Sequence, residues 1–251
     1  MKKINVLVSL AILSLCLNLN SPAFALVKPK KITAAIKQTV FKQTASKQTA
    51  VQTPEVANAQ YPKKYTQTYI NGIKDEYKVI GKDEIFYVAL DVLKGTNGEF
   101  SRKAILGNNL TGKPVKVEFK DLGTISPNYK NFDALGWKRG SRLYIYINQK
   151  HSDAPAIALA ALLSHEAIHQ DEYNSLSEET YAWTMEASEW CELVRLYPDY
   201  QLGLQALVQR ENLLKQLLEK GNYTNKYIKK TVYSNSGYQN LPETSPGFES
   251  L

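Results

Sequence analysis

The pattern of hydrophobic and polar positions is most distinctive in the second half of the chain, where it predicts a buried helix. Over residues 154–170, apolar side chains fall on nearly all faces of a helix until Ser164. A helix that is apolar all round usually lies in the centre of a domain. Ser152 and Asp153 are candidates for its N-cap, and Pro155 suits the first turn because no backbone N–H is needed there.

Two segments before this helix predict β-strands. Residues 114–120 alternate between apolar and polar side chains, as half-buried strands do. Residues 142–148 are rich in aromatic and β-branched side chains. The glycines, proline and asparagines of residues 121–141 predict a long loop between the two strands. Upstream, the apolar residues 85–93 follow an acidic cap and predict a helix that ends near Gly95.

The pattern after the central helix predicts two further helices. One begins after Ser177 and ends near residue 196, before Pro198, and the next spans residues 202–220 and stops at Gly221. The last 30 residues are rich in Tyr, Asn and Ser, which predicts an irregular tail. Strands followed by a run of helices are typical of an α+β domain, and we expect it to span residues 61–251.

The N-terminal end predicts export. Lys2 and Lys3 precede an apolar run over residues 6–17, and the small residues Ala23 and Ala25 form a cleavage pattern. These features are those of a secretory signal peptide over residues 1–25. We therefore expect a protein that is secreted or held in the periplasm or cell envelope after cleavage near Ala25. Cleavage would leave Cys191 as the lone cysteine, which we expect to be a buried, inert core residue.

The basic charge of the chain belongs mainly to its N-terminal end. The formal net charge is +7, but residues 61–251 hold 23 basic and 23 acidic side chains. Residues 26–60 contain imperfect Lys-Gln-Thr repeats and few large apolar groups, which predicts a disordered basic linker. The neutral balance of the domain gives no reason to expect nucleic-acid binding. Any membrane contact would come from the basic N-terminal segment.

The motif HExxH at residues 165–169 predicts a metal site. His165 and His169 are four positions apart, so a helix places both imidazoles on one face, where they can bind one Zn²⁺. Glu166 follows the first histidine and lies beside the metal, where it can take a proton from zinc-bound water. Burying these three polar side chains in an apolar helix without a cation would be unfavourable.

The motif, the helix around it and the strand before it resemble the zincin metallopeptidases over roughly residues 112–196. The resemblance implies a small mixed sheet packed on a central helix that carries HExxH. It also implies an edge strand that binds peptide substrate by β-addition. Residues 143–148 are our candidate for that strand. The metzincin branch is excluded because its third ligand, a histidine six residues after the motif, is replaced here by Ser175.

The resemblance to gluzincins implies that a glutamate of the next helix is the third ligand. Glu179, with the small Ala182 three positions later, fits that branch's pattern. The separation from His169 is short for a gluzincin, so Glu178 and Glu186 remain alternatives. Glu186 could instead accept a hydrogen bond from a ligand histidine.

The sequence therefore predicts a secreted zinc metallopeptidase with His165, His169 and Glu179 as ligands and Glu166 as general base. Its substrate would be a protein, a peptide or a cell-wall cross-link. The alternative is a non-catalytic envelope protein that binds metal or cell wall. The group that stabilises the oxyanion stays open among six residues: Tyr173, Tyr181, Tyr233, Tyr238, Arg210 and His151, the last expected in a surface loop.

Overall fold

The computed structural model describes residues 65–249. The signal peptide and the basic linker predicted for residues 1–60 lie outside the described residues. Within the described part of the chain, seven α-helices accompany one three-stranded sheet, which confirms the α+β class. The helices are α1 (Gln67–Tyr77), α2 (Glu84–Asp91), α3 (Glu99–Ile105), α4 (Ala156–Glu166), α5 (Leu176–Leu196), α6 (Ala206–Lys220) and α7 (Lys226–Ser234).

The sheet is small and mixed. Its strands are β1 (Lys116–Lys120), β2 (Ala134–Arg139) and β3 (Arg142–Asn148), in the spatial order β1-β3-β2. β1 runs parallel to β3, and β2 runs antiparallel to it. Gly140, whose φ of +61° is readily adopted only by glycine, lies in the short connection between β2 and β3.

Two predictions about the sheet are wrong. Residues 143–148 do not form an edge strand, because β3 is paired on both sides. The edge position next to β3 belongs to β2, which lies in the segment predicted to be a loop. Gly136 makes β2 a weak strand by sequence, and its pairing with β3, in which Trp137 lies opposite Tyr144, stabilises it instead.

Helix α4 is the buried central helix that the apolar pattern predicts. All eleven of its side chains are buried, and its apolar residues 156–163 share one hydrophobic core with Leu143, Ile145 and Ile147 of β3. The helix ends at Glu166 rather than near residue 170, because the N–H of Ile168 bonds to the carbonyl of His165 and closes a tighter turn. Pro155 occupies the N-cap position that we expected for Ser152 or Asp153.

Three more predictions need correction. Helix α5 is capped by Ser175, whose Oγ accepts from the N–H of Glu178, and not by Ser177. The predicted irregular tail contains α7, whose apolar face buries Ile228 and Val232. Cys191 is half-buried at the edge of the core formed by α5, α6 and α7, and burial raises the pKa of its thiol to about 11. Among residues 65–249, no helix is long and apolar enough to span a membrane.

Candidate metal centre

Three side chains from two neighbouring helices place their ligand atoms at one point. One nitrogen from each of His165 and His169 and one carboxylate oxygen from Glu179 lie within 4.8 Å of one another, and all three residues are buried. His165 Nε2 is 3.7 Å from Glu179 Oε2, and His169 Nε2 is 3.8 Å from Glu179 Oε1. These spacings suit three ligands that share one ion.

The end of α4 explains how the two histidines still face each other. His165 lies in the last turn of α4, and His169 follows the tight turn at residues 167–168. The two imidazole rings are 5.2 Å apart between centroids and tilted by 62°. The HExxH spacing therefore brings both rings to one point even though the helix stops inside the motif.

The polar atoms at this point fit a bound cation. His165 Nε2, His169 Nε2 and Glu179 Oε2 are buried and have no hydrogen-bond partner among the described residues. Leaving such atoms unpaired in an interior is costly, and a metal ion would satisfy all three. Two imidazoles and a carboxylate form a donor set that Zn²⁺ prefers, with room for a fourth ligand.

The charge around His169 also favours a cation. Burial alone lowers the pKa of an imidazole, yet the neighbouring carboxylates of Glu179 and Glu178 raise the pKa of His169 to about 9. The site thus stabilises positive charge in spite of its burial. A divalent ion would place that positive charge between the two imidazoles and Glu179.

His165 is held from behind by a buried network of charges. Its Nδ1 lies 3.1 Å from Glu186 Oε2, which fixes the ring so that Nε2 points to the metal position. Arg210 on α6 donates to both oxygens of Glu186 and lies 3.0 Å from Asp133 Oδ2. Asp133 Oδ1 in turn lies 2.7 Å from His151 Nε2.

His169 is held by a different kind of network. Its Nδ1 lies 2.8 Å from Glu178 Oε1, in the first turn of α5. The other oxygen of Glu178 accepts a hydrogen bond of 2.9 Å from the hydroxyl of Ser245. His165 is therefore supported by an ion pair, and His169 by a carboxylate that a hydroxyl orients.

Glu179 is oriented by neutral donors. Asn174 Nδ2 donates to Glu179 Oε1 over 2.6 Å. The Tyr238 hydroxyl accepts from Trp183 Nε1 and also interacts with Glu179. Burial, together with the charge of Glu179, raises the pKa of Tyr238 well above its ordinary value, so the phenol stays protonated and can donate.

Glu166 lies beside the metal position, and its carboxylate is not held by a hydrogen bond from the described residues. Its Oε1 is 4.0 Å from His165 Nε2, and both of its oxygens are buried without a hydrogen-bond partner in the described part of the chain. Burial raises the pKa of Glu166, although His165 and His169 oppose that shift. A carboxylate with a raised pKa, next to a metal position, suits the role of general base.

A recess reaches this site from the surface. It passes between the start of β3 and residues 109–115 to Glu166 and His169. Its walls are mainly aliphatic, and Asn109, Tyr144 and Gln170 add polar groups. Its interior volume of about 10 Å³ is close to what one water molecule requires and is far below the size of a pocket for a whole ligand, so the recess suits a water next to Glu166.

The site residues expected from the sequence fall into two groups. His165, Glu166, His169 and Glu179 come together at the metal position. The alternative ligands Glu178 and Glu186 instead contact the outward-facing Nδ1 atoms of the two histidines, and Glu186 lies at hydrogen-bond distance from His165, as expected for an acceptor. The supporting contacts from Asp133, Asn174 and Ser245 were missed.

The six candidates for an oxyanion donor are scattered. The guanidinium of Arg210 donates to Glu186, and the hydroxyl of Tyr238 interacts with Glu179, so neither group faces the metal position freely. His151 is not the surface residue that we expected: it is buried because it pairs with Asp133, 18 positions earlier in the chain. Tyr173 is exposed on the loop that follows His169, the Tyr181 ring makes a tilted contact with Phe248, and Tyr233 borders the core around Trp183.

Comparison with known proteins adds no relatives to this description. No family model matches the chain, and neither the curated proteins nor the solved structures contain a match.

Proposed function

We propose that this protein is a zinc-dependent peptidase. The observation that carries the proposal is the convergence of three buried, unpaired ligand atoms from His165, His169 and Glu179 next to the equally unpaired carboxylate of Glu166. A purely structural site would have no use for the fourth group. The predicted signal peptide would place the activity outside the cytoplasm.

The chain's own residues divide the work as follows. His165, His169 and Glu179 hold the metal, and Glu186 and Glu178 keep the histidine rings in the ligating orientation. Zinc bound there would polarise the scissile carbonyl and lower the pKa of a coordinated water toward 7. Glu166 accepts a proton from the attacking water and then donates it to the leaving amine.

Strand β2 is the proposed binding edge for an extended peptide. Among the described residues it pairs with β3 on one side only, whereas the outer side of β1 is already occupied where Val117 N bonds to Ile80 O. Lys138 of β2 forms a 2.6 Å ion pair with Glu172, three residues after His169, so this edge lies beside the site. A peptide that added to β2 would run past the metal position, consistent with a protein, peptide or cell-wall peptide substrate.

Zinc content and turnover, measured together, test the proposal. The full chain should bind one zinc per molecule, counted by mass spectrometry under native conditions, and should cleave members of a peptide library. His165→Ala should abolish both properties. Glu166→Gln should keep the zinc and lower kcat by at least about 10²-fold, because it removes the general base but no ligand.

Glu189→Gln is the matched control for Glu166→Gln. Glu189 is likewise a buried glutamate, but it lies on α5 and accepts from the N–H of Gly98, away from the metal position. It should keep both zinc and activity. Zinc binding with no turnover of any peptide would favour the non-catalytic metal-binding alternative. A wild-type chain that binds no zinc after reconstitution would contradict the proposal as a whole.

A further inference from the structure

The chain segment after α7 returns to the metal centre. The carbonyls of Pro242 and Glu243 accept hydrogen bonds of 2.9 and 3.0 Å from the N–H groups of Leu176 and Ser177. These N–H groups belong to the first turn of α5, where a helix has no acceptors of its own. Residues 242–248, which we call the C-terminal strap, therefore cap the helix that carries Glu178 and Glu179.

The strap places one hydroxyl inside the protein. Ser245 is only 6% exposed, and its Oγ donates to Glu178 Oε2 over 2.9 Å. Ser245 Oγ also lies 2.9 Å from the hydroxyl of Ser175, which itself accepts from the N–H of Glu178. Each hydroxyl has one proton to donate. Because Ser245 donates its proton to the Glu178 carboxylate, Ser175 is the donor in the bond between the two serines.

The far end of the strap is also anchored. The N–H of Phe248 bonds to the carbonyl of Ser245 over 2.9 Å, with Gly247 at a φ of +88° in the turn between them. The Phe248 ring lies 5.8 Å from that of Tyr181 on α5. Backbone contacts before Ser245 and a ring contact after it hold the hydroxyl against Glu178.

We propose that Ser245 is a positioning residue for the metal centre, and that the strap and the metal stabilise each other through the line Ser245–Glu178–His169. This inference rests on the proposed metal site. By fixing the Glu178 carboxylate, Ser245 fixes the His169 ring that this carboxylate orients. Because coupling between two binding events is reciprocal, metal at His169 must tighten the docking of the strap as much as the docked strap tightens the metal.

Zinc affinity of the full chain, measured by competition with a chromophoric chelator, tests the first half. Ser245→Ala should weaken zinc binding by about three- to tenfold, somewhat less than the 10–100-fold typical of direct partners of ligand histidines. Ser245→Thr keeps the hydroxyl and should stay within about twofold of the wild type. The matched control is Ser234→Ala, since the Ser234 hydroxyl is exposed and donates to the carbonyl of Thr231 on its own helix.

Hydrogen exchange of residues 240–248, with and without zinc, tests the second half, and its wild-type comparison does not depend on any variant folding. Zinc should slow exchange in the wild type and in Ser234→Ala, and have little effect in Ser245→Ala. Wild-type zinc affinity in Ser245→Ala, or exchange that zinc leaves unchanged in the wild type, would overturn the coupling while leaving the metal site intact. Absence of zinc binding in the wild type would instead remove the proposed function and this inference together.

Discussion

Glu186 and Glu189 lie three positions apart on α5, both fully buried, yet their pKa values shift in opposite directions. Burial opposes ionisation of both. At Glu186 the charge of Arg210 and the contact with His165 outweigh burial and lower the pKa to about 2. At Glu189 burial is the largest effect and raises the pKa to about 7, although the N–H of Gly98 donates to the carboxylate over 2.6 Å.

The difference shows how one helix serves two environments. A buried carboxylate stays ionised where a nearby cation or strong hydrogen-bond donors compensate for its lost hydration. In the metal-facing half of α5, the charge of Arg210 keeps Glu186 ionised, and an ionised Glu186 is a strong hydrogen-bond acceptor for His165. The other half of the helix uses Glu189 as a hydrogen-bonding side chain whose charge gives no benefit.

The largest expected effect comes from removing the compensating cation. Arg210→Met should lower the free energy of unfolding by about 3–5 kcal/mol, because it leaves Glu186 and Asp133 buried without their shared partner. Urea denaturation of the metal-free chain at pH 7 measures this loss.

The control for this variant is Arg195→Met, since the Arg195 side chain is 72% exposed and lies 3.8 Å from Glu192. It should change stability by less than about 0.5 kcal/mol. Adding Glu186→Gln to Arg210→Met should recover part of the loss, because it removes one of the uncompensated charges. A loss below about 1 kcal/mol in Arg210→Met would show that Glu186 is not held ionised by Arg210, and the contrast with Glu189 would disappear.

The second prediction concerns pH and Glu189. Its pKa is raised from 4.5 to about 7, so the folded state retains a proton that the unfolded state has already lost over this range. Stability from this group is therefore fully present below pH 4.5 and is lost as pH rises to about 7, a change on the order of 3 kcal/mol.

Glu189→Gln keeps an acceptor for Gly98 but cannot ionise. The variant should be more stable than the wild type at pH 8, and the advantage should vanish near pH 4.5. Urea titrations of both proteins at several pH values measure the difference between them. An advantage that does not depend on pH would mean that Glu189 is already ionised in the folded state.

The parts of this charge pattern that were predictable are those that local sequence determines. The apolar run around residues 154–166 predicts a central helix because periodicity is a local property, and HExxH places His165 and His169 together for the same reason. The prediction of Glu179 as the third ligand rested on the resemblance to a family, because the residues of this sequence alone do not distinguish it from Glu178 and Glu186.

The unpredicted parts depend on contacts between distant positions. Ser245 meets Glu178 from 67 positions away, and Asp133 meets Arg210 from 77 positions away. Strand β2 was missed because its own residues favour a strand weakly and its partner stabilises it. His151 was predicted to lie on the surface because no residue near it in sequence indicates that it would pair with Asp133, 18 positions earlier.

The smallest expected effect tests whether burial, and not charge alone, sets these energies. Burial opposes ionisation of Asp133, yet the hydrogen bond from His151 and the charges of Arg210 and Lys150 lower its pKa to about 2. Lys150 Nζ is 2.9 Å from Asp133 Oδ1, about as close as Arg210 is to Oδ2, but the Lys150 side chain is 40% exposed.

Water screens such a pair, so Lys150→Gln should lower the free energy of unfolding by no more than about 1 kcal/mol. Urea denaturation measures this loss, with Lys230→Gln, at an exposed position, as control. A loss as large as that of Arg210→Met would mean that distance alone decides, and that the burial of Arg210 adds nothing to its hold on Glu186 and Asp133.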